Sequence, residues 1–280
     1  MNQQQEEIRE QQKRSWNKFS GGWKKWDELT MDMLKPMGTE IIASIKPSGD
    51  QLILDIAAGT GEPGLTIAGM LEGGKVVVTD LAEDMLVIAR EKAAARGISN
   101  IEIKACDVCD LPFPDNSFDA ISCRFGFMFF PDMQLAANEM ARVLKPGGRI
   151  ATSFWNVPEK NFWVTAVMGT INRNMDLPAP PPGAPGMFRC CKPGLMKDIF
   201  EKAGFRNITE KEVISKLRSG SVETYWEMMT EVGAPIVAAL SQANDSTREK
   251  IRKEVFEQVK QHYPGDVAID TSAIVISATK

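Results

Sequence analysis

Histidine is almost missing from this chain: His262 is the only one in 280 residues. A Ser-His or Cys-His hydrolase would have to take its base from that single, late position, so this class is set aside. Cysteine is sparse, with Cys106, Cys109, Cys123, Cys190 and Cys191. An odd number speaks against a disulfide framework. Cys106 and Cys109 have the spacing of a metal-ligand pair, but no second such pair follows, and the adjacent Cys190 and Cys191 ligate one metal poorly. No metal site is expected, and the thiols read as ordinary groups in a reducing compartment. Positive charge is not in excess either, with 33 Lys and Arg against 37 Asp and Glu and a net charge of −4. Without a basic stripe, no nucleic-acid partner is expected. Residues 1–12 are polar and mixed in charge, with no apolar run, so neither a signal peptide nor a membrane span is read there. A cytoplasmic protein is the expectation; no feature of the sequence speaks to its oligomeric state.

What is present is an ordinary globular composition, 43% hydrophobic and 25% charged, enough for the core of one large domain or a domain with a cap. Short apolar runs bounded by turn residues predict strands at 51–56, 75–79, 100–105, 118–123 and 148–155. Between them Met85, Ile88, Ala89 and Ala93 repeat at helical spacing, as do Met133, Ala136, Met140 and Leu144. The second of these helices has Asp132 as a candidate N-cap and ends at Lys145-Pro-Gly-Gly148. Strand and helix in alternation imply a parallel sheet with helices on both faces. A helix is predicted over 193–203, strands over 205–216 and 268–279, and helices over 219–264, with Ile251, Val255 and Val259 on one face of the last.

The chemistry begins at Asp55-Ile-Ala-Ala-Gly59-Thr-Gly61-Glu-Pro-Gly64, a glycine loop that leaves a strand and opens a helix. Glycine permits the tight turn and a close approach of ligand to backbone. Asp80 ends the next strand, where a carboxylate accepts both hydroxyls of a ribose or caps the following helix. These glycines with an acid about 20 residues on also match the dinucleotide fingerprint, so a nicotinamide-dependent oxidoreductase stands as a competing reading. Asp55 tilts the choice, because a carboxylate there suits a ligand with an ammonium or sulfonium end and would repel a pyrophosphate. Asp107 closes the third strand and either stabilises a turn or accepts from an adenine amino group, with the Val108 N–H serving the ring. Arg124 is either a solvated charge or part of the site.

Leu52 to Asp55, Gly59-Thr-Gly61, Thr79-Asp80, Asp107, Leu111-Pro-Phe-Pro-Asp-Asn-Ser-Phe-Asp119, Arg124-Phe-Gly126 and Arg142-Val-Leu-Lys-Pro-Gly-Gly148 together resemble a class I S-adenosylmethionine (SAM)-dependent methyltransferase. The sequence is most similar to the ubiquinone/menaquinone C-methyltransferase-like (type 11) group, strongly over 45–155, more loosely over 192–214 and weakly at both ends. The resemblance implies a doubly wound, mostly parallel seven-stranded sheet of the Rossmann-like methyltransferase kind. It implies that Asp55, Ala57, Gly59 and Gly61 line the methionine part of SAM, that Asp80 binds its ribose, and that Leu81 and Met85 lie against adenine. Asp107 and Val108 would read the adenine edge, and Arg124 and Phe125 would sit near the methionine end. Ala57 departs from the pattern, since many relatives carry glycine there.

The expected function is methyl transfer from SAM to a small-molecule acceptor by direct displacement, in which the protein supplies position and electrostatics. No catalytic base is assigned. A SAM-fold binding or regulatory protein without turnover is the alternative. The expected organisation is a helical cap over 1–36, a SAM-binding core over 37–155, an irregular connection over 156–191, a continuation of the core over 192–218, a helical cap insertion over 219–264 and a last core strand over 265–280. The cap segments are expected to close over the carboxyl edge of the sheet, where open α/β sheets bind ligands. Trp155 ends a strand at that edge, and Trp16, Phe19 and Trp23 belong to the first cap segment.

Overall fold

A computed structural model describes residues 2–178, 181 and 183–280. The proline-rich stretch of the expected connection falls partly outside the described residues. Seven strands form one sheet: β1 (Leu52–Ile56), β2 (Lys75–Asp80), β3 (Ile101–Ala105), β4 (Phe118–Arg124), β5 (Leu144–Trp155), β6 (Arg206–Gly220) and β7 (Val267–Thr279). Their order is β3-β2-β1-β4-β5-β7-β6. β1 to β5 run parallel, and β7 runs antiparallel to both its neighbours, β5 and β6. This is the mostly parallel sheet expected. Strand order reverses between β1 and β4, so the loops leaving their carboxyl ends diverge and open a crevice there.

The central strands are apolar on both faces because helices cover both. Ile53, Leu54, Val76, Val78 and Ile121 are fully enclosed or nearly so. Helices α3 (Gly64–Ala68), α4 (Glu83–Ala95) and α5 (Met133–Val143) follow β1, β2 and β4 in turn. Asp132 caps α5 as its position suggested, its Oδ1 accepting from the Leu135 N–H at 2.9 Å. Asp119, at the start of β4, accepts from the Leu52 N–H at 2.9 Å and from Lys145 at 2.7 Å. It ties the entrances of β1 and β5 to β4, far from the glycine loop.

Two stretches differ from expectation. The N-terminal region is two helices, α1 (Gln3–Lys25) and α2 (Asp27–Ile45), and only α1 has the character of a cap. α2 buries Met33, Leu34, Met37, Ile41 and Ile45 in the core, so the division expected after residue 36 falls at Trp26. The connection over 156–191 contains α6 (Phe162–Asn174), with Trp163, Val164, Ala166, Val167, Thr170 and Ile171 buried. That spacing is helical, but Val, Thr and Ile are poor helix formers and the prolines downstream hide the pattern. Here packing decides. After α7 (Leu195–Lys202) and β6, the insertion forms α8 (Val222–Val232), α9 (Ala234–Leu240) and α10 (Asp245–His262), with Ile251, Val255 and Val259 fully enclosed.

Candidate active site

The glycine loop is built on a buried carboxylate. Asp55 has no exposed surface. Its Oδ2 accepts from the Gly64 N–H at 2.9 Å and its Oδ1 from the Ser122 hydroxyl at 2.6 Å. Burial pushes its pKa up to about 7, against the lowering effect of those two hydrogen bonds. The sequence reading set Asp55 beside the ligand, but the structure turns its carboxylate under the loop, where it holds the turn. A β-carbon on Gly64 would lie 2.6 Å from Oδ2, so glycine is required by this close approach. Ser122 gave no signal in the sequence; it is found only through the pairing of Asp55 with Ser122 across β1 and β4.

Ala57 adopts a left-handed φ of 52°, a conformation that glycine takes without strain. That accounts for glycine in similar loops. Gly59 and Gly61 are also left-handed, at 55° and 102°. Around the loop, Thr60 lies within 3.4 Å of Asp27 Oδ1, which also accepts from Lys92 at 2.7 Å, while Glu62 pairs with Arg96. The first turn of α2 and the length of α4 therefore clamp the loop from two sides.

Asp80 stands at the carboxyl end of β2 and faces the loop. Its Oδ2 accepts from the Gly59 N–H and its Oδ1 from the Ala82 N–H, both at 2.8 Å. Burial raises its pKa, and these N–H groups oppose the rise. Asp80 is therefore not the N-cap of α4, which is Ala82 without a side-chain cap; it holds the turn before that helix and sets its carboxylate beside Gly59. Leu81 is half-buried next to it and Met85 is buried one turn into α4. Beyond β3, Asp107 Oδ1 accepts from the Cys109 N–H at 2.8 Å, which satisfies the turn reading. Its Oδ2 is buried with no hydrogen-bond partner among the described residues. A buried acceptor without a donor is costly, and an adenine amino group would supply one. Val108 is buried beside it. Asp80, Asp107 and the glycine loop therefore gather at adjacent carboxyl ends and fit an adenosine ligand.

At the end of β4 the half-buried Arg124 guanidinium donates to the Met31 sulfur at 3.3 Å. Phe125 follows with a left-handed φ of 61° and stacks on Trp155 at a centroid distance of 4.2 Å, and Trp155 packs on Trp163 at 4.9 Å. The buried Asn161 fixes this stack: its Oδ1 accepts from the Trp163 indole and the Ser272 N–H, both at 3.0 Å.

Residues 53–148 match a methyltransferase domain. The match covers the glycine loop, Asp80, Asp107 and Arg124. Over 108 residues the chain is 44% identical to the demethylmenaquinone methyltransferase of Thermus thermophilus, a stretch that is 39% of this chain and 49% of that protein. The chain spans about half the length of the curated relatives it matches. Among solved structures it is similar to the YcgJ protein from Bacillus subtilis, with a TM-score of 0.58 at 21% identity over 87% of this chain and 97% of that one. It is also similar to the [4+2]-cyclase SpnF, with a TM-score of 0.53 at 20% identity over 87% and 79% of the two chains. At such identities these structures show the fold, and the cyclase shows that this fold serves other chemistry.

Outside the matched methyltransferase domain, α1 lies across the edge where the acidic residues gather. Arg9 approaches the free Oδ2 of Asp107 at 3.8 Å, and Gln5 donates to Asp132 at 2.8 Å. Lys13 pairs with Glu83 at 2.9 Å, and Asn17 accepts from the Asp84 N–H at 3.0 Å. Trp16 packs edge-on against Phe129, just past β4, at 5.1 Å, and lies 6.1 Å from Trp23. The far end of α1 is anchored: a β-carbon on Gly22 would lie 2.4 Å from the Glu231 carbonyl, and Glu231 accepts from Lys25 and Trp26 at 2.8 Å. No residue of α1 is fully buried; its first half is held by these polar contacts and by the packing of Trp16 on Phe129, and its far end is fixed to α8.

Proposed function

We propose that this protein transfers a methyl group from SAM to a small-molecule acceptor. The observation that carries the reading is Asp80 beside Gly59 together with the buried Oδ2 of Asp107 at the neighbouring strand end, which accepts no hydrogen bond among the described residues and has only Arg9 near it, at 3.8 Å. In this reading one carboxylate takes a ribose and the other an adenine amino group, and the support is their position beside a glycine loop that carries the methyltransferase-domain match. When bound, SAM supplies an activated methyl on a sulfonium. The chain's part is to hold donor and acceptor in line and to exclude water, which orientation alone makes worth several orders of magnitude in rate. Asp55 braces the loop, Asp80 and Asp107 fix the nucleoside, and α1 covers the edge.

The acceptor side is aromatic. Phe125 with Trp155, and Trp16 with Phe129, flank the ends of β4 and β5. The Trp23 indole N–H is buried without an acceptor among the described residues and offers a donor to an acceptor oxygen. These walls favour a planar, oxygenated ring, in keeping with the quinone-related name of the Thermus relative. The test is calorimetry with SAM, S-adenosylhomocysteine and NAD, followed by mass spectrometry of a hydroquinone incubated with SAM and protein. Binding of the two adenosyl ligands and a 14 Da gain on the hydroquinone are expected. NAD binding without SAM binding would overturn the reading. SAM binding with no transfer to any ring would overturn the quinone-like acceptor and favour a binding protein without turnover.

A further inference from the structure

β6 is an edge strand: it stands last in the sheet order and pairs with β7 alone. Its register on β7 is unbroken from Thr209 to Arg218, so alternate residues of that stretch share one face. One face carries Val213, Ser215 and Leu217, which are half-buried or buried. The other carries Glu210, Glu212, Ile214, Lys216 and Arg218, all exposed. Ile214 is 67% exposed, more than any other large apolar side chain among the described residues. Two acids precede it and two bases follow it, at equal steps along the strand. An edge guarded merely against pairing needs charge, but it does not need this order.

We propose that the free edge of β6 is the docking surface for a second copy of this chain, joined antiparallel about a two-fold axis at Ile214. In that register Ile214 faces the partner's Ile214, Glu212 faces the partner's Lys216, and Glu210 faces the partner's Arg218. Symmetry doubles each charged pair, so four pairs of opposite sign flank one apolar contact. Moving the axis to Val213 or Ser215 keeps only one kind of charged pair and sets Ile214 against Glu212 or Lys216. A parallel, in-register pairing sets like charge against like. The occupant is a copy of the chain because the order of charges, read in the opposite direction, is its own complement. Within one chain Glu212 pairs with Lys160 at 2.8 Å, Lys216 with Asp270 at 2.8 Å and Arg218 with Asp32 at 3.0 Å; these are exposed pairs, weak enough to exchange. A groove of about 290 Å³ between α2 and β6, with Pro36 and Ser215 in its wall, leaves room for the partner's Val213, which this register sets opposite Ser215.

The surface does not depend on the SAM reading, and its test needs no ligand. Sedimentation velocity of the full chain at rising concentration should show a mass approaching twice that of the monomer. Two double variants reverse one half of the pattern each: Glu210→Lys with Glu212→Lys makes the face wholly positive, and Lys216→Glu with Arg218→Glu makes it wholly negative. Each variant alone should self-associate at least about 100-fold more weakly, since every pair becomes a repulsion. Mixed in equal amounts, the two should return to twice the monomer mass, because every charge again meets its opposite. That recovery also shows that both variants are folded. A monomeric unsubstituted chain at the highest concentration overturns the proposal. So does either variant that still dimerises alone, which would place the contact elsewhere, and so does a mixture that stays monomeric.

Discussion

Replacing Asp55 by asparagine should stabilise this protein increasingly as pH rises from mild acid to above neutral. The carboxyl is fully enclosed, and burial lifts its pKa from the ordinary 3.8 to about 7. In the unfolded chain it ionises near the ordinary value, while in the folded chain it keeps its proton to higher pH. The folded state therefore binds the extra proton between those values, and stability falls as pH rises through that window. From pH 5 to pH 7 the difference amounts to about 3 kcal/mol, taking about 1.4 kcal/mol per pH unit, and it levels off above. Asparagine keeps the geometry: its carbonyl can accept from the Gly64 N–H and its amide can donate to Ser122, so the charge is what changes. Urea unfolding of both proteins at pH 5 and pH 8 isolates this group, since all others cancel in the comparison. The stability difference should grow by about 2–3 kcal/mol in favour of Asp55→Asn at pH 8. A difference that stays constant within about 0.5 kcal/mol would refute the reasoning, and would mean that Arg124 and the loop N–H groups already compensate the buried charge.

Three further outcomes follow from the site. Asp80→Ala should weaken SAM by at least about tenfold in calorimetry, since it removes the acceptor proposed for the ribose; an unchanged affinity would leave Asp80 only its contacts with Gly59 and Ala82. Gly64→Ala puts a β-carbon 2.6 Å from Asp55 Oδ2, so the loop must shift; thermal unfolding should show a loss of about 1–3 kcal/mol, and cofactor affinity should fall with it. Removing residues 1–24 takes away α1 and spares α2, whose side chains belong to the core. Cofactor binding should weaken modestly and turnover collapse, and full activity in a turnover assay would show that α1 has no part in the site.

Much of this architecture was legible because it follows from local rules. Apolar runs between turn residues marked the five parallel strands, and Asp132 announced the start of α5. The acidic residues at the ends of β2 and β3 stood out from their spacing after the glycine loop. What the sequence concealed is non-local. Ser122 matters because β1 and β4 are neighbours, and Asp27 because a helix from the far end of the chain reaches Thr60. α6 was hidden by its β-branched residues, which take helical form only because Trp163, Val167 and Ile171 find a core to enter. Asp55 shows the same limit from another side: its residue type and position are visible in the sequence, but its hydrogen bonds with Gly64 and Ser122 are not.

The place of β7 in the sheet has a consequence for synthesis. It is the last strand in the chain, yet it lies between β5 and β6, which do not pair with each other. Until residues 267–279 have left the ribosome, two strands stand with unpaired edges facing each other across a gap one strand wide. Open edges of this kind pair readily with another chain. β6 is fifteen residues long and β5 twelve, so the exposed ladder is extensive while it lasts. The nascent protein is thus most prone to self-association after β6 and before residues 267–279 emerge, and the insertion of β7 closes the gap between β5 and β6 in one step.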